Sequence, residues 1–541
     1  MLSARTVALR LRPLPLAAVL ARLGERWLLA AVLVVGLLAH GVTMFRYPLY
    51  LGDEGIYLQQ AWAVLRLGRL SPYTYWYDHA PAGWLLLAWW VFLLPGQFLT
   101  FGMALNSGRV LMLLLHGLST ALLWQVARRL SATLLCPLVT GLLFSLSPLA
   151  LYYHRMVLLD NIMVFWLLLS LYLLLWDDNR ILTLVWSGLA FGLAVLTKEN
   201  AVFFLPVCLY LLHRQVRSTY RWRFALGGWL FAVVMLVSLY PLYAFLKTEL
   251  WPANLQVLWN VQAGPGERVS LIHTVLWQLQ RRGGGILDPH SEFWYFFWTR
   301  WWYRDPLILV VGALSAGVNL VQGWRGGPAA RGRLVAALLA LAFGFYLTRG
   351  SVMLEFYITP LLPFLALNGG LLAEELLGLL SPALQTPVGV AGLTFLVVLS
   401  FLNAHDAYFL DLTRLQAQQL QWIRRNIPPS ARLIIDDDLW VDLHEPSGRW
   451  PIFPGAHSHW KAANDPEVAS RFFQNDWRTV DYIVLSDDLT PYLRQEGEDR
   501  IPWQACRNAR EVARFAFGDV ELLIGQVVKD GSLAGRGLCQ P

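Results

Sequence analysis

Apolar runs long enough to cross a lipid bilayer recur along most of the chain, separated by short polar stretches. This pattern predicts a polytopic α-helical membrane protein with about eleven transmembrane helices. The predicted spans lie near residues 27–44, 104–126, 132–152, 159–176, 181–197, 199–213, 224–246, 305–322, 334–348, 356–379 and 388–404.

One further apolar run, 82–99, is also long enough to span but contains Pro95 and Gly96. Because both residue types disfavour a continuous helix, we predict that this run lies along the membrane interface. If it crossed the membrane, the orientation of every later segment would be reversed.

Positive charge alternates between the two sides of the predicted spans. With the amino terminus inside, the cytoplasmic loops hold the arginines of 5–26, 128–129, 214–223 and 325–333, whereas the opposite short loops hold little beyond Arg155, Lys198 and Arg349. This asymmetry follows the positive-inside rule. It predicts a cytoplasmic segment 1–26, a transmembrane domain 27–404 with an extracytoplasmic loop 45–103, and an extracytoplasmic soluble domain 405–541.

The polar carboxy-terminal part has the pattern of an α/β domain. Residues 415–428 have helical spacing, and the apolar runs in 431–437 and 480–488 end in acids, as buried strands often do. A late strand is predicted at 520–528.

Composition agrees with a membrane protein. Of 541 residues, 56% are hydrophobic and 15% are charged, whereas soluble proteins contain about 25% charged residues. The net charge of +7 is explained by the cytoplasmic loops, so it does not indicate a nucleic-acid partner. The basic, interrupted amino terminus is not typical of a cleavable signal peptide.

The four cysteines fall into two pairs of different character. Cys136 and Cys208 lie in apolar runs and are predicted to be small core residues. Cys506 and Cys539 lie in the polar carboxy-terminal part. They could form a disulfide if that part is extracytoplasmic, but their spacing alone does not establish it.

Ionisable residues cluster on the predicted outer face. Charge at membrane depth costs a few kcal/mol or more, so such residues are candidates for function. One outward-facing pocket would give all of these ionisable residues a polar environment together. The members are Asp53 and Glu54, then Asp78 and His79 in "YDHAP", then His154, Arg155 and Asp160, then Lys198 and Glu199, and finally Arg349, Glu355 and Tyr357.

These clustered residues could carry out only a few kinds of reaction. Carboxylates beside buried cations can deprotonate a hydroxyl group. Arginine and lysine beside a membrane can neutralise a lipid-linked phosphate as it leaves. The cytoplasmic loops contain no glycine-rich phosphate cradle, so a nucleotide-dependent site is not indicated.

The order of these motifs resembles the C-type (GT-C) glycosyltransferases. The relevant stretches are "DE-x-x-Y" after the first span, "YDHAPAGWLL", "HRMVLLDNIMVFW", "LTKENAVFFLP" and "EFYITPLLPFLAL". The resemblance is strongest to the bacterial protein O-mannosyltransferase-like branch, whose relatives include the lipid A aminoarabinose transferases. It implies inverting transfer of one sugar from a polyprenyl-phosphate donor, within membrane lipids, to a hydroxyl group of a protein, lipid or envelope glycan.

The resemblance also implies roles for particular residues. Asp53 matches the general base, Glu54 the acidic neighbour that helps to place the acceptor, and Asp160 a second important aspartate. Tyr57, Arg155, Lys198 and Tyr357 match residues that contact the donor phosphate. His79 is also assigned to donor-phosphate binding. It stands where mannosyltransferases often have His-Pro-Pro and the aminoarabinose enzymes acid-Lys-Pro, so its contact with the donor head, and with it the sugar, is left open.

Each motif also has a structural interpretation. Asp53 and Glu54 could cap a helix. Arg155 could pair with Asp160, and Lys198 with Glu199 at the interface. Two longer stretches have ordinary explanations that we prefer, namely acids at strand ends for 434–445 and an interfacial aromatic belt for 293–303.

No cofactor is certain from the sequence. A divalent metal at Asp78 and His79, joined by His273 or His290, is chemically reasonable, but no tight spacing motif supports it. Loop polar residues are the better explanation.

Two other classes of protein fit the composition. A transporter or flippase for lipid-linked sugars would hold charges at the bilayer midplane, often with internal repeats. Here the charges cluster in loops on one face, which favours an enzyme. A non-enzymatic envelope assembly protein would leave Asp53 dispensable.

Overall fold

The computed structural model describes residues 15–176, 180–216, 222–254, 270–486, 489–533 and 537–539. Of the predicted cytoplasmic segments, residues 1–14 and 217–221 lie outside this described part. Helices dominate the amino-terminal three quarters. They are α1 (Pro15–Leu23), α2 (Glu25–Gly41), α3 (Gly52–Leu67), α4 (Ala82–Phe92), α5 (Ala104–Leu130), α6 (Leu135–Leu146), α7 (Pro148–Tyr153), α8 (Leu159–Leu174), α9 (Ile181–Thr197), α10 (Leu205–Val216), α11 (Trp222–Val237), α12 (Leu239–Leu246), α13 (Leu271–Gln280), α14 (Glu292–Phe296), α15 (Pro306–Arg325), α16 (Arg331–Thr348), α17 (Leu362–Leu379) and α18 (Pro382–Asn403).

Among the described residues, six helices are long and apolar enough to cross a membrane. They are α5, the continuous stretch Trp222–Leu246, α15, α16, the stretch Glu355–Leu379 and α18. Shorter apolar helices α4, α6, α8 and α9 accompany them. The protein is therefore a multi-pass membrane protein, while the predicted number of about eleven spanning helices is not confirmed.

Breaks in the backbone explain why several predicted spans are not single long helices. The run 132–152 divides into α6 and α7, because Pro148 begins a new helix that Ser147 caps by accepting a hydrogen bond from the Ala150 backbone (3.2 Å). The run 199–213 begins with one tight turn, Glu199–Phe204, before α10. That turn leaves its polar side chains free to face a cavity.

The ambiguous run 82–99 contains a short helix that is buried on one side. Helix α4 has 11 residues, a length of about 16 Å at about 1.5 Å per residue, against a hydrocarbon core of about 30 Å. It ends at Phe92, shortly before Pro95, and buries Trp84 and Leu87. This length fits the predicted segment that does not cross the membrane.

The carboxy-terminal part is a small α/β domain. Its helices are α19 (His405–Phe409), α20 (Thr413–Asn426), α21 (Trp440–His444), α22 (His459–Asn464), α23 (Pro466–Phe473), α24 (Leu489–Glu496) and α25 (Ile501–Arg507). The described residues form one five-stranded sheet of order β2-β1-β3-β5-β4. Its strands are β1 (Leu433–Ile435), β2 (Ala456–Ser458), β3 (Tyr482–Leu485), β4 (Ala509–Phe517) and β5 (Val520–Val527).

Strand β1 lies parallel to β2 and β3, while β5 is antiparallel to β3 and β4. The predicted helix and three predicted strands are confirmed as α20, β1, β3 and β5. Sequence reasoning missed β2, which has three residues, and β4, which is largely exposed. Cys506 and Cys539 form a disulfide. Their spacing in the sequence did not establish this bond.

This domain packs directly on α3 and its flanking loops. The Asp442 carboxylate accepts a hydrogen bond from the Ala104 backbone (3.0 Å), and Gln416 exchanges two hydrogen bonds with the Tyr50 backbone (2.9 Å each). Gly55 of α3 lies so close to the Asp437 backbone that a Cβ atom there would overlap it. The start of α3 is therefore held between the transmembrane helices and the carboxy-terminal domain.

Candidate active site

A cavity of about 1060 Å³ opens beside the start of α3. Its walls come from α3, the loop 71–79, the turn after α9, the segments 271–285 and 346–357, and two residues of the carboxy-terminal domain. It brings together most of the predicted outer clusters, namely Asp53, Tyr57, Asp78, His79, Lys198, Glu199, Arg349 and Tyr357.

Asp53 lies in the first turn of α3 and is half-buried. Burial raises the pKa of its carboxyl group to about 6, although the charges of Lys198 and His79 act in the opposite direction. Asp436 and Asp160 raise it slightly further. A carboxylate in this setting is a stronger base than an ordinary surface aspartate.

Glu54 has a different environment from the one we predicted. It is fully buried outside the cavity lining, where both carboxylate oxygens receive the Arg109 guanidinium (2.9 and 3.3 Å). The same carboxylate accepts hydrogen bonds from the Val157 backbone (2.8 Å) and the Leu51 backbone (3.2 Å). Glu54 therefore joins α3 to α5 and caps α3, and its predicted contact with the acceptor is not supported.

Lys198 is held by a buried carboxylate. Its Nζ atom donates to Asp160 Oδ2 (2.5 Å) and lies 4.5 Å from the centre of the Tyr357 ring. Asp160 is fully buried in the first turn of α8, outside the cavity lining. Asp160 is thus a positioning residue behind Lys198, and the alternative pairings of Arg155 with Asp160 and of Lys198 with Glu199 are wrong.

His79 is fixed by Glu199 at the cavity wall. Its Nδ1 lies 3.1 Å from one carboxylate oxygen of Glu199, whose other oxygen accepts the Ala80 backbone N–H (2.7 Å). Burial lowers the pKa of His79, but the hydrogen bond and the charge of Glu199 together outweigh it and raise the pKa above its usual value. The Tyr57 ring meets the imidazole edge-on.

Arg155 does not reach the cavity. It is buried, and its guanidinium donates to the carbonyl oxygens of Ala39, Val42 and Ala407 (2.8, 2.8 and 2.9 Å). Those bonds tie the end of α2 to α19. Its predicted contact with a donor phosphate is therefore not supported, because carbonyl oxygens already occupy its Nη1 and Nη2 atoms and it lies outside the cavity lining.

Other cations in the cavity escaped the sequence analysis. Arg281 and Arg282 follow α13, and Lys461 comes from α22 of the carboxy-terminal domain. Lys461 donates to the Thr74 carbonyl (2.9 Å) and lies over the Trp76 ring at 3.8 Å. A double arginine before three glycines, "RRGGG", is the only local sequence signal that could have identified the first two.

The acids of 434–445 lie beside this site, and all but the partly buried Asp436 are buried. Asp436 accepts the Asp437 backbone N–H (2.7 Å), as a helix cap would, and Asp437 accepts from Ser458, Trp460 and Gln59. Burial raises the pKa of Asp437 to about 7. The capping expectation holds for Asp436, but neither residue is a solvated turn.

The metal hypothesis at Asp78 finds no support in the geometry. Among the described residues, the His, Cys, Asp and Glu side chains close enough to share an ion are Asp436, Asp437 and His459, with ligand atoms within 4.8 Å of one another. Asp78 and His79 are not in that group. Hydrogen bonds already account for both carboxylates of the group.

Comparison with known proteins decides the fold. Residues 81–242 match the family model of the dolichyl-phosphate-mannose-protein mannosyltransferases. The structure is similar to ArnT from Cupriavidus metallidurans bound to undecaprenyl phosphate, with a TM-score of 0.55 and 16% identity over 94% of this chain and 98% of that chain. The chain has the C-type glycosyltransferase fold.

A protein of lower sequence identity has a similar fold. The oligosaccharyltransferase of Archaeoglobus fulgidus in the apo form has a TM-score of 0.56 and 11% identity, over 92% of this chain and 75% of that chain. Comparison with curated protein sequences finds no match. The resemblance seen in the sequence is thereby confirmed, and the family model and the GT-C fold are both those of glycosyltransferases that use lipid-linked donors.

Proposed function

We propose that this protein is an inverting glycosyltransferase, which moves one sugar from a polyprenyl-phosphate donor to an acceptor hydroxyl at the outer face of the cytoplasmic membrane. The observation that carries the proposal is a half-buried carboxylate, Asp53, that shares one cavity with several cations, in a chain with the GT-C fold. The cations are Lys198, Arg281, Arg282 and Arg349.

The cations suit the donor phosphate. Lys198 is held in place by Asp160 (2.5 Å), so little conformational freedom is lost when it binds an anion. ArnT was solved with undecaprenyl phosphate, and the Archaeoglobus fulgidus oligosaccharyltransferase with dolichol-phosphate. A polyprenyl phosphate is therefore the donor class that we assign to this cavity.

Asp53 suits the acceptor. In the proposed step its carboxylate takes the proton of the acceptor hydroxyl, whose oxygen attacks the anomeric carbon on the face opposite the phosphate. The bond between that carbon and the phosphate oxygen breaks, and its electron pair leaves with the polyprenyl phosphate. Lys198 and the arginines stabilise the negative charge of the leaving group.

We further propose that loop 45–103 and the carboxy-terminal domain are extracytoplasmic. The arginine distribution supports this orientation. The Cys506–Cys539 disulfide is consistent with it, because such bonds persist in oxidising compartments. The acceptor class, whether protein, lipid or envelope glycan, would follow from mass spectrometry of envelope material from a strain that lacks the protein.

Binding of undecaprenyl phosphate to the purified protein tests the donor assignment. Replacing Lys198 alone would strand the buried Asp160 charge, so the variant is K198M combined with D160N. We expect its affinity to fall about tenfold or more, equivalent to about 1.4 kcal/mol. The matched control is R471M with E467Q, an exposed ion pair on α23 (3.6 Å). Equal affinity in all three proteins would contradict the phosphate role.

A further inference from the structure

Asn200 is a buried amide that lines the cavity with its hydrogen-bonding capacity unused. It is 7% exposed. Neither its Oδ1 nor its Nδ2 has a hydrogen-bond partner among the described residues. Buried side-chain polar atoms are nearly always paired, with protein or with bound molecules, so an amide left open on both sides points to a ligand.

The position of Asn200 indicates which part of a ligand it would meet. It is the second residue of the turn Glu199–Phe204 and directly follows Lys198 and Glu199. Lys198 is the cation held by Asp160, and Glu199 holds His79. Resting on the proposed function, a phosphate at Lys198 puts the group attached to it, the donor sugar, next to Asn200.

The chemistry of the amide restricts the kind of sugar. An amide offers one acceptor oxygen and a donor NH₂ group, so it is satisfied by a hydroxyl pair that both donates and accepts. An ammonium group only donates, and it would leave the NH₂ of Asn200 unpaired. Cations outnumber carboxylates in the cavity lining, so it disfavours a further positive charge. The five cations are Lys198, Arg281, Arg282, Arg349 and Lys461, and the three carboxylates are Asp53, Asp78 and Glu199.

A second residue with an unpaired amide oxygen lines the same cavity from α3. Gln60 Oε1 is buried without a hydrogen-bond partner in the described part of the chain, and Gln60 shares one face of α3 with Asp53 and Tyr57. The cavity thus presents neutral polar groups on two walls between its charged residues. Neutral hydroxyl groups are the ligands that these walls fit.

We propose that Asn200 binds hydroxyl groups of the donor sugar, and that the donor carries a neutral hydroxylated sugar rather than a cationic amino sugar. Asn200 is then a specificity-determining residue of the donor subsite. It leaves the binding of the lipid phosphate to Lys198 and the arginines.

The test is to compare N200L with the wild-type protein in nanodiscs. The probes are undecaprenyl phosphate without a sugar, its mannosyl, glucosyl and galactosyl phosphodiesters, and its 4-aminoarabinosyl phosphodiester. The readout is the affinity of each probe, from displacement of a fluorescent polyprenyl phosphate. The control variant is N426L, which changes an exposed asparagine at the end of α20.

We expect the wild-type protein to prefer at least one neutral sugar donor over undecaprenyl phosphate. N200L should abolish that preference, lowering the affinity for this donor about tenfold while leaving undecaprenyl phosphate within about twofold. Preference for the aminoarabinosyl donor, no preference for any sugar, or an equal effect of N200L on all probes would each overturn the inference. Loss of all binding by the wild-type protein would instead overturn the proposed function.

Discussion

At the scale of single residues, two carboxylates that are neighbours in the sequence have opposite surroundings. Successive side chains of a helix point about 100° apart, so Asp53 faces the cavity while Glu54 faces Arg109 in the interior. Glu54 is neutralised by the buried Arg109 guanidinium, which donates two hydrogen bonds, and it accepts two more from backbone N–H groups, which fits a structural role. Asp53 keeps a raised pKa, which fits a base.

The first prediction concerns the pH dependence of transfer. The active form of a general base is deprotonated, and the pKa of Asp53 is raised to about 6. We therefore expect kcat/KM to rise with pH and to level off above about pH 6, falling about tenfold for each pH unit below it. The donor phosphodiester does not titrate in this range, so the acidic limb belongs to the protein. A flat profile between about pH 5 and pH 7 would contradict the assignment.

The second prediction separates Arg155 from the donor site. R155L removes the donors to four carbonyl groups, so we expect a lower free energy of unfolding of the purified protein, by about 1–3 kcal/mol for each carbonyl left buried and unpaired. The affinity for undecaprenyl phosphate should stay within about twofold of the wild type. A stable variant with strongly weakened binding would show that Arg155 contacts the phosphate after all.

At the scale of elements, the position of Asp53 depends on helix α3. Its first turn carries Asp53, and close approaches of Gly52 and Gly55 to Asp436 and Asp437 press it against the carboxy-terminal domain. A Cβ atom on Gly52 would lie 2.6 Å from Asp436 Oδ1, which real side chains do not tolerate. The domain therefore helps to set where the Asp53 carboxylate points.

The third prediction follows from that contact. In G55A the new methyl group would overlap the Asp437 carbonyl, so α3 must move away from the domain. We expect transfer to fall about tenfold or more, because small displacements of catalytic groups are costly. The matched control is G344A on α16, where a Cβ meets nothing within 4 Å. Wild-type transfer rates in both variants would refute a positioning role for the contact.

Elements were the part of the fold that the sequence predicted well. Hydropathy placed a helix in each predicted span, since apolar length is a strong local signal. It could not foresee that Ser147 and Pro148 divide one run into α6 and α7. It also missed β4, which is largely exposed and in which charged residues interrupt the apolar ones.

At the scale of the whole molecule, the carboxy-terminal domain forms one wall of the cavity. Trp460 and Lys461 of α22 line it together with residues of the transmembrane part. The disulfide ties α25 to the carboxy terminus of that domain.

The fourth prediction concerns the disulfide. It joins residues 33 positions apart, a loop for which chain entropy gives about 3–4 kcal/mol of stabilisation. We expect C506S/C539S to unfold at a lower temperature than the wild type, measured by nanodisc calorimetry. Dithiothreitol should lower the Tm of the wild type but not that of the double variant. Identical Tm values for oxidised and reduced wild-type protein would argue against this contribution.

The site residues were only partly predictable from the sequence, because segments that are far apart in the chain meet only in the folded molecule. Sequence motifs identified Asp53, His79, Lys198 and Tyr357, which do share the cavity. They also suggested Arg155, because nothing local distinguishes an arginine that binds carbonyl groups from one that faces a cavity. Arg281, Arg282 and Lys461 come from distant segments, and only the fold brings them to the same cavity.

The most direct test of the central claim is sugar transfer by D53N. The protein would be assayed in nanodiscs with the sugar donor that it prefers and with envelope extract from a strain lacking the protein as acceptor. The matched control is D411N, the same change at an exposed aspartate. We predict that D53N lowers kcat about 100-fold or more, while its affinity for undecaprenyl phosphate and its thermal stability stay near those of the wild type. Transfer by D53N at the wild-type rate would contradict the account.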